Sequence, residues 1–536
     1  MDLRRHWIAG LMSGAATLPA AMPAAEATLP HIVLVLADDM GWGDPRCYQP
    51  ESKIPTPNLD RLAEEGVRFT DAHTPSSVCT PTRYSLLTGR YAWRTRLKEG
   101  VLDGFDPPLI ESGEDTLASL LKRAGYRTAC VGKWHLGMRW HDRGGTPLED
   151  RGPQRFRSGD DVDFTRELSG GPPDVGFDDF FGISASLDMS PYCYLRGRKV
   201  ETPPTGYHEE IPDTIFLNGV SGPRAPGFEV RGVLSRFGDE AVAIVRSHAG
   251  RKEPLFLYLP LNSPHLPVAP RRDAKGNSGA GDYGDFVWET DREVGRLLDA
   301  LAAAKMTEDT LVIFTSDNGG LWHWWDFPAA DDGGKIPQTP RGDYVRRFGH
   351  QSNAAWRGTK ADIHEGGHRV PFIVRWPARV KGGIVSDALV ELTDVFATVA
   401  QITGQTPVGS SGMDSFSFLP TLEGKATGTR PFAVHHSLRG MFALRQGTWK
   451  LVEGRGSGGF TRPQQLKPKP GEPPGQLYDL ATDAREQTNR WPELPDRVGE
   501  MRALLEKIKQ TSARQAAGIE SRTGGIPPVA RPSPDR

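Results

Sequence analysis

One stretch of the chain puts a reactive side chain, an anion-friendly helix end and a fixed cation within a single turn: Ser77-Val78-Cys79-Thr80-Pro81-Thr82-Arg83, running on into Leu86-Leu87-Thr88-Gly89-Arg90. It reads as a loop that becomes a helix. Pro81 suits the first helical turn, where a missing N–H costs nothing. Gly89 suits the left-handed residue just past a helix end. Cys79 then sits at the helix N-terminus, whose free N–H groups and dipole favour an anion. Arg83, four residues on, projects from the same face. A lone cysteine is more often a small buried hydrophobe, so the neighbours are what single this one out.

Strand ends supply further candidates. His31 to Ala37 (HIVLVLA) is a nearly continuous apolar run suited to a buried parallel strand, and it ends in Asp38-Asp39. Thr310 to Ser316 (TLVIFTS) repeats the design and ends in Asp317-Asn318. Adjacent carboxylates at such a place are costly unless something neutralises them. Open α/β sheets bind ligands at those strand ends, and carboxylates converging from two strands read as a hard-cation site. The strand Arg127 to Val131 delivers Gly132-Lys133-Trp134-His135-Leu136-Gly137, with Lys133 and His135 on one face if the segment is extended. Leu255 to Leu261 leads into Asn262-Ser263-Pro264-His265, and Gly358-Thr359-Lys360 opens GTKADIHEGGHRVPFIVRW.

The string from Cys79 to Arg90 resembles the type I sulfatase signature, GKWHLG resembles the second signature of that family, and the GTK block resembles a third. The resemblance runs in ordered blocks from about Pro30 to Pro492. It implies an alkaline-phosphatase-like α/β fold: a mixed sheet flanked by helices, with a smaller C-terminal α+β domain on an antiparallel sheet. It implies that a formylglycine-generating enzyme oxidises Cys79 to formylglycine, whose hydrate is the nucleophile. The implied metal ligands are Asp38, Asp39, Asp317, Asn318 and an oxygen of modified Cys79. That all-oxygen set makes Ca2+ the first choice and Mg2+ the second. Arg83, Lys133 and Lys360 are the implied sulfate-binding cations. Asp317 takes a proton from the attacking hydroxyl, His265 with Lys360 protonates the leaving alcohol, and His135 takes the second hydroxyl proton. In GFDDFFGISASLDMSPYCY, Ser186 is the best match to the sulfate-contacting serine, ahead of Ser184, with Asp188 and Tyr192 on the substrate side.

The elements around these residues fall into domains. Residues 1–27 read as a signal peptide: Arg4 and Arg5, an apolar stretch, then Ala25-Glu26-Ala27 for cleavage. Export to a periplasm or beyond is expected, and no membrane span. Residues 30–410 are the catalytic domain, with helices around 56–65, 114–124, 232–250 and 283–304, and a polar surface excursion over 139–173. A Gly, Ser, Pro and Thr-rich stretch over 406–429 separates it from a C-terminal subdomain, 430–515. Strands are expected there at 432–436, 441–445, 448–453 and 476–480, with a closing helix over 492–511. The tail 516–536 reads as disordered. Trp322, Trp324 and Trp325 follow the second acid pair, and read either as a stacking platform for a sugar or aryl ring, or as a hydrophobic cap.

Composition narrows the function. Lys plus Arg is 65 and Asp plus Glu is 67, a net charge of −2 over 536 residues, which argues against a generic nucleic-acid or membrane-surface binder. With Cys79 claimed by the motif, Cys47, Cys130 and Cys193 allow at most one disulfide. The expected activity is hydrolysis of sulfate monoesters on a carbohydrate, with galactose or N-acetylgalactosamine 6-sulfate as the specific expectation. The alternatives are a phosphonate or phosphate monoester hydrolase of the same fold, and an inactive sugar-binding homologue.

Overall fold

A computed structural model describes residues 29–151, 158–209, 219–321 and 348–519. Trp322, Trp324 and Trp325, the signal-peptide segment and most of the C-terminal tail lie outside them.

Five strands form a parallel core: Thr310–Ser316, His31–Asp38, Leu255–Pro264, Arg127–Lys133 and Asp179–Ile183, in that order across the sheet. Shorter strands, joined to the core by an antiparallel pairing on each flank, extend it to ten strands. The core strands are apolar on both faces because both are covered. All ten residues of Leu255–Pro264 are buried, as are seven of the eight in His31–Asp38. The helices Pro57–Glu64, Val233–His248 and Gly281–Ala303 pack together, and Leu117–Arg123 packs with Asp394–Thr403.

Several elements run differently from the sequence expectation, each for a local reason. Thr56 makes no side-chain cap on the 57–64 helix. Asp291, from the Gly281–Ala303 helix, instead accepts from the Asn58 and Leu59 N–H groups at 3.1 and 2.8 Å. The strand that was expected to stop at Val131 continues through Lys133, so Lys133 is the last residue of a buried strand. Segment 139–173 is not a pure surface excursion. Trp140 is buried and packs edge-on against Phe105 and Phe164.

A separate four-stranded antiparallel sheet, Ala433–His436, Phe442–Gln446, Trp449–Val452 and Gln476–Asp479, carries the Pro495–Gln510 helix. Its core of Val434, Leu444, Leu451, Leu477, Met501 and Leu505 also takes in Tyr91 and Trp93. Arg94 fixes this contact, donating to Asp414 at 2.8 and 2.9 Å and to the Thr511 carbonyl at 2.9 Å. All four cysteines are free thiols.

Candidate active site

The five parallel strands all point their C-terminal ends the same way, and the expected chemistry gathers there. The Cys79–Thr88 helix brings the nucleophile candidate to that edge. Val78 enters in extended conformation, and Gly89 closes the helix at φ 64°. A Cβ at Gly89 would lie 2.8 Å from both Gly412 Cα and Phe396 Cβ, so glycine is required there for space as well as for φ. Every residue of this helix is buried.

Arg83 is fully buried and ties three elements together. Its Nε and Nη2 donate to Asp317 Oδ2 at 3.0 and 2.7 Å, Nη1 donates to the Lys133 carbonyl at 3.0 Å, and Nη2 lies 3.4 Å from Asp38 Oδ1. Lys133 Nζ donates to Asp38 Oδ2 at 2.7 Å and to Ser186 Oγ at 3.1 Å. Lys360 Nζ donates to Asp39 Oδ2 at 2.8 Å. Asp39 Oδ1 accepts from Asn318 Nδ2 at 2.7 Å, and the Asp39 N–H donates to Asp317 Oδ1 at 3.2 Å. Three carboxylates, Asp38, Asp39 and Asp317, therefore face three cations, Arg83, Lys133 and Lys360.

Ligand-type atoms of Asp38, Asp39, Cys79 and His265 all lie within 4.8 Å of one another. Asp38 Oδ1 and Asn318 Oδ1 are buried without a hydrogen-bond partner among the described residues. Orphaned oxygens among paired carboxylates suit a hard divalent cation, so the donor set fits Ca2+ or Mg2+.

Two histidines behave differently. His265 Nδ1 lies 2.6 Å from the Leu266 carbonyl and 2.9 Å from Ser186 Oγ. A carbonyl only accepts, so Nδ1 carries the proton and Nε2, 3.7 Å from Asp39, is the titrating nitrogen. Burial and Lys360 oppose its charging, but Asp39 and Asp38 outweigh them and raise its pKa. His135 does not share a face with Lys133 in an extended segment. It adopts φ 56°, and its Nε2 donates to the Leu102 carbonyl at 2.7 Å. Burial, then Lys133 and Arg83, hold it neutral with its pKa well below the usual value. Its Nδ1 has no partner among the described residues.

For Asp38, burial works against ionisation, yet Lys133, His265 and Arg83 keep its pKa well below the ordinary carboxylate value. Burial and the neighbouring Asp38 push Asp317 up, against Arg83.

Backbone strain collects here. Asp39, His135 and Ala361, the residue after Lys360, are all left-handed, at φ 66, 56 and 78°. Such a conformation costs about 1–2 kcal/mol for a residue with a Cβ, and it persists only where the surroundings over-determine it.

Two supporting groups carried no signal in the sequence. Asn353 clamps the Asn318 loop to the Lys360 loop: Oδ1 accepts from Gly320 N at 2.8 Å, while Nδ2 donates to the Gly320 and Gly358 carbonyls at 3.0 and 3.1 Å. Buried Asp44 accepts from Gly41 N, Tyr283 Oη, Ser352 Oγ and His350 Nε2, at 2.7, 2.5, 2.9 and 2.7 Å, and so fixes the turn after Asp39. Neither lies in a periodic or motif-like context, and only their distances reveal them.

This is the architecture of an alkaline-phosphatase-like hydrolase, with charged groups ringed around the C-terminal ends of a parallel sheet. The sulfatase family model matches residues 30–405. An N-acetylgalactosamine-6-O-sulfatase of Bacteroides thetaiotaomicron is 33% identical over 513 residues, covering 90% of this chain and 93% of that protein. Human arylsulfatase A is 31% identical, covering 97% and 93% respectively. A solved sulfatase structure from work on glycosaminoglycan metabolism by Bacteroides thetaiotaomicron superposes with a TM-score of 0.76 at 31% identity, covering 90% of this chain and all of that one. The chain belongs to the sulfatase family and is a sulfuric ester hydrolase.

Proposed function

We propose that this sulfatase removes sulfate from a glycan, and that its preferred ester is a 6-sulfate on galactose or N-acetylgalactosamine. The observation that carries the substrate reading is the similarity, along 90% of the chain, to a bacterial N-acetylgalactosamine-6-O-sulfatase.

Cys79 is the residue converted to formylglycine, by a formylglycine-generating enzyme, and the hydrated aldehyde supplies the nucleophile. Asp38, Asp39, Asp317 and Asn318 hold the divalent cation, Ca2+ before Mg2+, which when bound polarises a sulfate oxygen. Arg83 and Lys133 present fixed charge to the sulfate oxygens and need no reorganisation as charge moves. Ser186, bonded to Lys133 and His265, keeps the ammonium and the imidazole in register. Protonated His265 Nε2 donates to the leaving alcohol oxygen as the S–O bond breaks, and Lys360 shares the developing charge. Neutral His135, held by the Leu102 carbonyl, is ready to accept a proton at Nδ1. Residues 1–27 act as the export signal, which places the enzyme in a periplasm or outside the cell. Trp322 and Trp324 contact the sugar.

Co-expression with a formylglycine-generating enzyme gives the test. A Cys79 peptide lighter by about 18 Da marks the conversion. Sulfate release is then measured from N-acetylgalactosamine 6-sulfate, its 4-sulfate, galactose 6-sulfate and an aryl sulfate. Preferential release from the 6-sulfated sugars is expected. Turnover of the aryl ester with none of the sugars overturns the glycan reading.

A further inference from the structure

The side-chain oxygen donors of the candidate cation site come as two pairs at strand ends, Asp38-Asp39 and Asp317-Asn318. One short segment, His350 to Asn353, packs against the turns that follow both pairs. On one side the Gly43 N–H donates to the Ser352 carbonyl at 2.6 Å, and on the other the Gly320 N–H donates to Asn353 Oδ1 at 2.8 Å. Ser352 fills the gap between the turns. A Cβ at Gly41 would overlap its carbonyl and hydroxyl oxygens, and a Cβ at Gly320 would overlap the same hydroxyl. Glycine on both sides allows this close approach. Ser352 is therefore a wedge that touches both ligand-bearing turns at once.

Asp44 locks the wedge. Its carboxylate is fully buried, in the turn that follows Asp39. Oδ2 accepts from Ser352 Oγ at 2.9 Å and from Tyr283 Oη at 2.5 Å, and Oδ1 accepts from His350 Nε2 at 2.7 Å. Tyr283 is carried by the Gly281–Ala303 helix, so helix, wedge and turn meet on one carboxylate. The turn is tied in its own right to the second ligand strand. The Met40 N–H donates to Ser316 Oγ at 2.9 Å, and the Asp39 N–H donates to Asp317 Oδ1 at 3.2 Å. A shift of the turn would thus reach both pairs. Asp39 is left-handed at φ 66°, a conformation that persists only where the surroundings over-determine it.

His350 is the member whose presence is hardest to explain by folding alone. The residue is 5% exposed, and Nδ1 is buried without a hydrogen-bond partner among the described residues. An ionised Asp44 only accepts, so Nε2 carries the proton and Nδ1 keeps its lone pair. Leaving a buried nitrogen unanswered opposes folding. Among the described residues, the ring's one hydrogen bond goes to Asp44.

We propose that His350, Ser352 and Tyr283 are positioning residues for the cation: acting through Asp44, they hold the two ligand pairs in place and so set the affinity for Ca2+. The inference rests on the oxygen-rich cation site proposed above and adds what governs its strength. Groups that orient metal ligands from behind typically contribute 10- to 100-fold in affinity.

Full-length enzyme is stripped with EGTA, dialysed and titrated with Ca2+ by calorimetry, and its melting temperature is measured in EGTA. His350→Ala should raise the Ca2+ Kd by about 10- to 100-fold, and Tyr283→Phe, which loses one hydroxyl, by about tenfold. His350→Gln, whose amide can still donate to Asp44, should recover part of the loss. A wild-type Kd in these variants overturns the proposal, and a lower melting temperature in EGTA alongside it would assign the groups to the fold alone. If His350→Ala fails to fold, Tyr283→Phe and Ser352→Ala decide by the same measure. A wild type that binds no Ca2+ gives a different result: it overturns the cation site itself, and this inference with it.

Discussion

Two buried ion clusters lie at either end of one short segment. Lys360 reaches the first, with Asp38, Asp39, Arg83, Lys133 and Asp317. Glu365 begins the second, with Asp71, Arg369, Arg445, Lys450 and Glu486. Each sets three carboxylates against three cations. Burying so many charges is tolerable only when they are paired, because the desolvation of each costs several kcal/mol. What separates the clusters is the unsatisfied atoms. In the first these include the oxygens Asp38 Oδ1 and Asn318 Oδ1, and in the second they are mostly imidazole nitrogens. Equal charge arithmetic therefore leaves the first cluster with oxygen donors suited to a hard cation, and the second with a stack of imidazoles packed between the C-terminal sheet and the catalytic domain.

The sharpest break between the two clusters should come from Cys79→Ala. Sulfate release should fall by on the order of 10^4-fold or more, as loss of a nucleophile does elsewhere, while the melting temperature barely moves. A variant retaining a tenth of the activity would remove Cys79 from the chemistry.

Chelation by EGTA comes next. It should lower turnover by roughly 10^3-fold, restored by Ca2+, because a bound cation supplies several kcal/mol of charge stabilisation. Activity indifferent to EGTA and to added Ca2+ would leave the oxygen donors without their ion.

Lys360→Ala should lower kcat by about 10^2-fold, the usual cost of one preorganised donor, and Lys360→Arg should recover part of that. Loss confined to KM would assign Lys360 to ground-state binding instead.

The junction should announce itself through pH. His436 joins the small sheet to the Cys79 loop, its N–H donating to the Pro75 carbonyl at 3.1 Å. Burial, with Lys98 and Lys509, lowers its pKa to about 4. The unfolded chain then binds more protons than the folded one between pH 6.5 and 4, so stability is lost as pH falls through that window. The loss is on the order of 3 kcal/mol. Urea titrations across this range should show the decline, and a flatter one in His436→Gln. An equal slope in both would assign it to other groups.

The smallest effect is expected where burial is absent. Arg61 and Asp299 pair at 3.3 Å with side chains 42% and 73% exposed. Arg61→Ala should cost less than about 0.5 kcal/mol in urea unfolding. A larger loss would mean that pairing, rather than burial, governs the ionic contributions here.

Much of the active site was legible because its residues end apolar runs or sit in compact motifs. The strands ending at Asp38 and Ser316 announce themselves by unbroken hydrophobicity, and the acids after them stand out against it. Cys79 and Arg83 share a turn of one helix, so their proximity follows from helical geometry. His135 does not fall beside Lys133 as an extended register would put it, because His135 itself is left-handed. Asn353 and Asp44 were missed because their partners are remote: Gly320 is 33 residues from Asn353, and Tyr283 is 239 from Asp44.

Local sequence, then, determined the parallel strands, the position of Cys79 at a helix N-terminus, the acids and lysines at strand ends, and the antiparallel C-terminal sheet. Periodicity, turn chemistry and helix geometry act over a few residues and can be read there. Tertiary structure alone decided which acid meets which cation, how the Asn353 clamp and the Asp44 turn hold the loops, and that three histidines from separate elements stack at the domain junction. Those contacts depend on the register of non-adjacent strands and on the burial of paired charge, which no local pattern encodes.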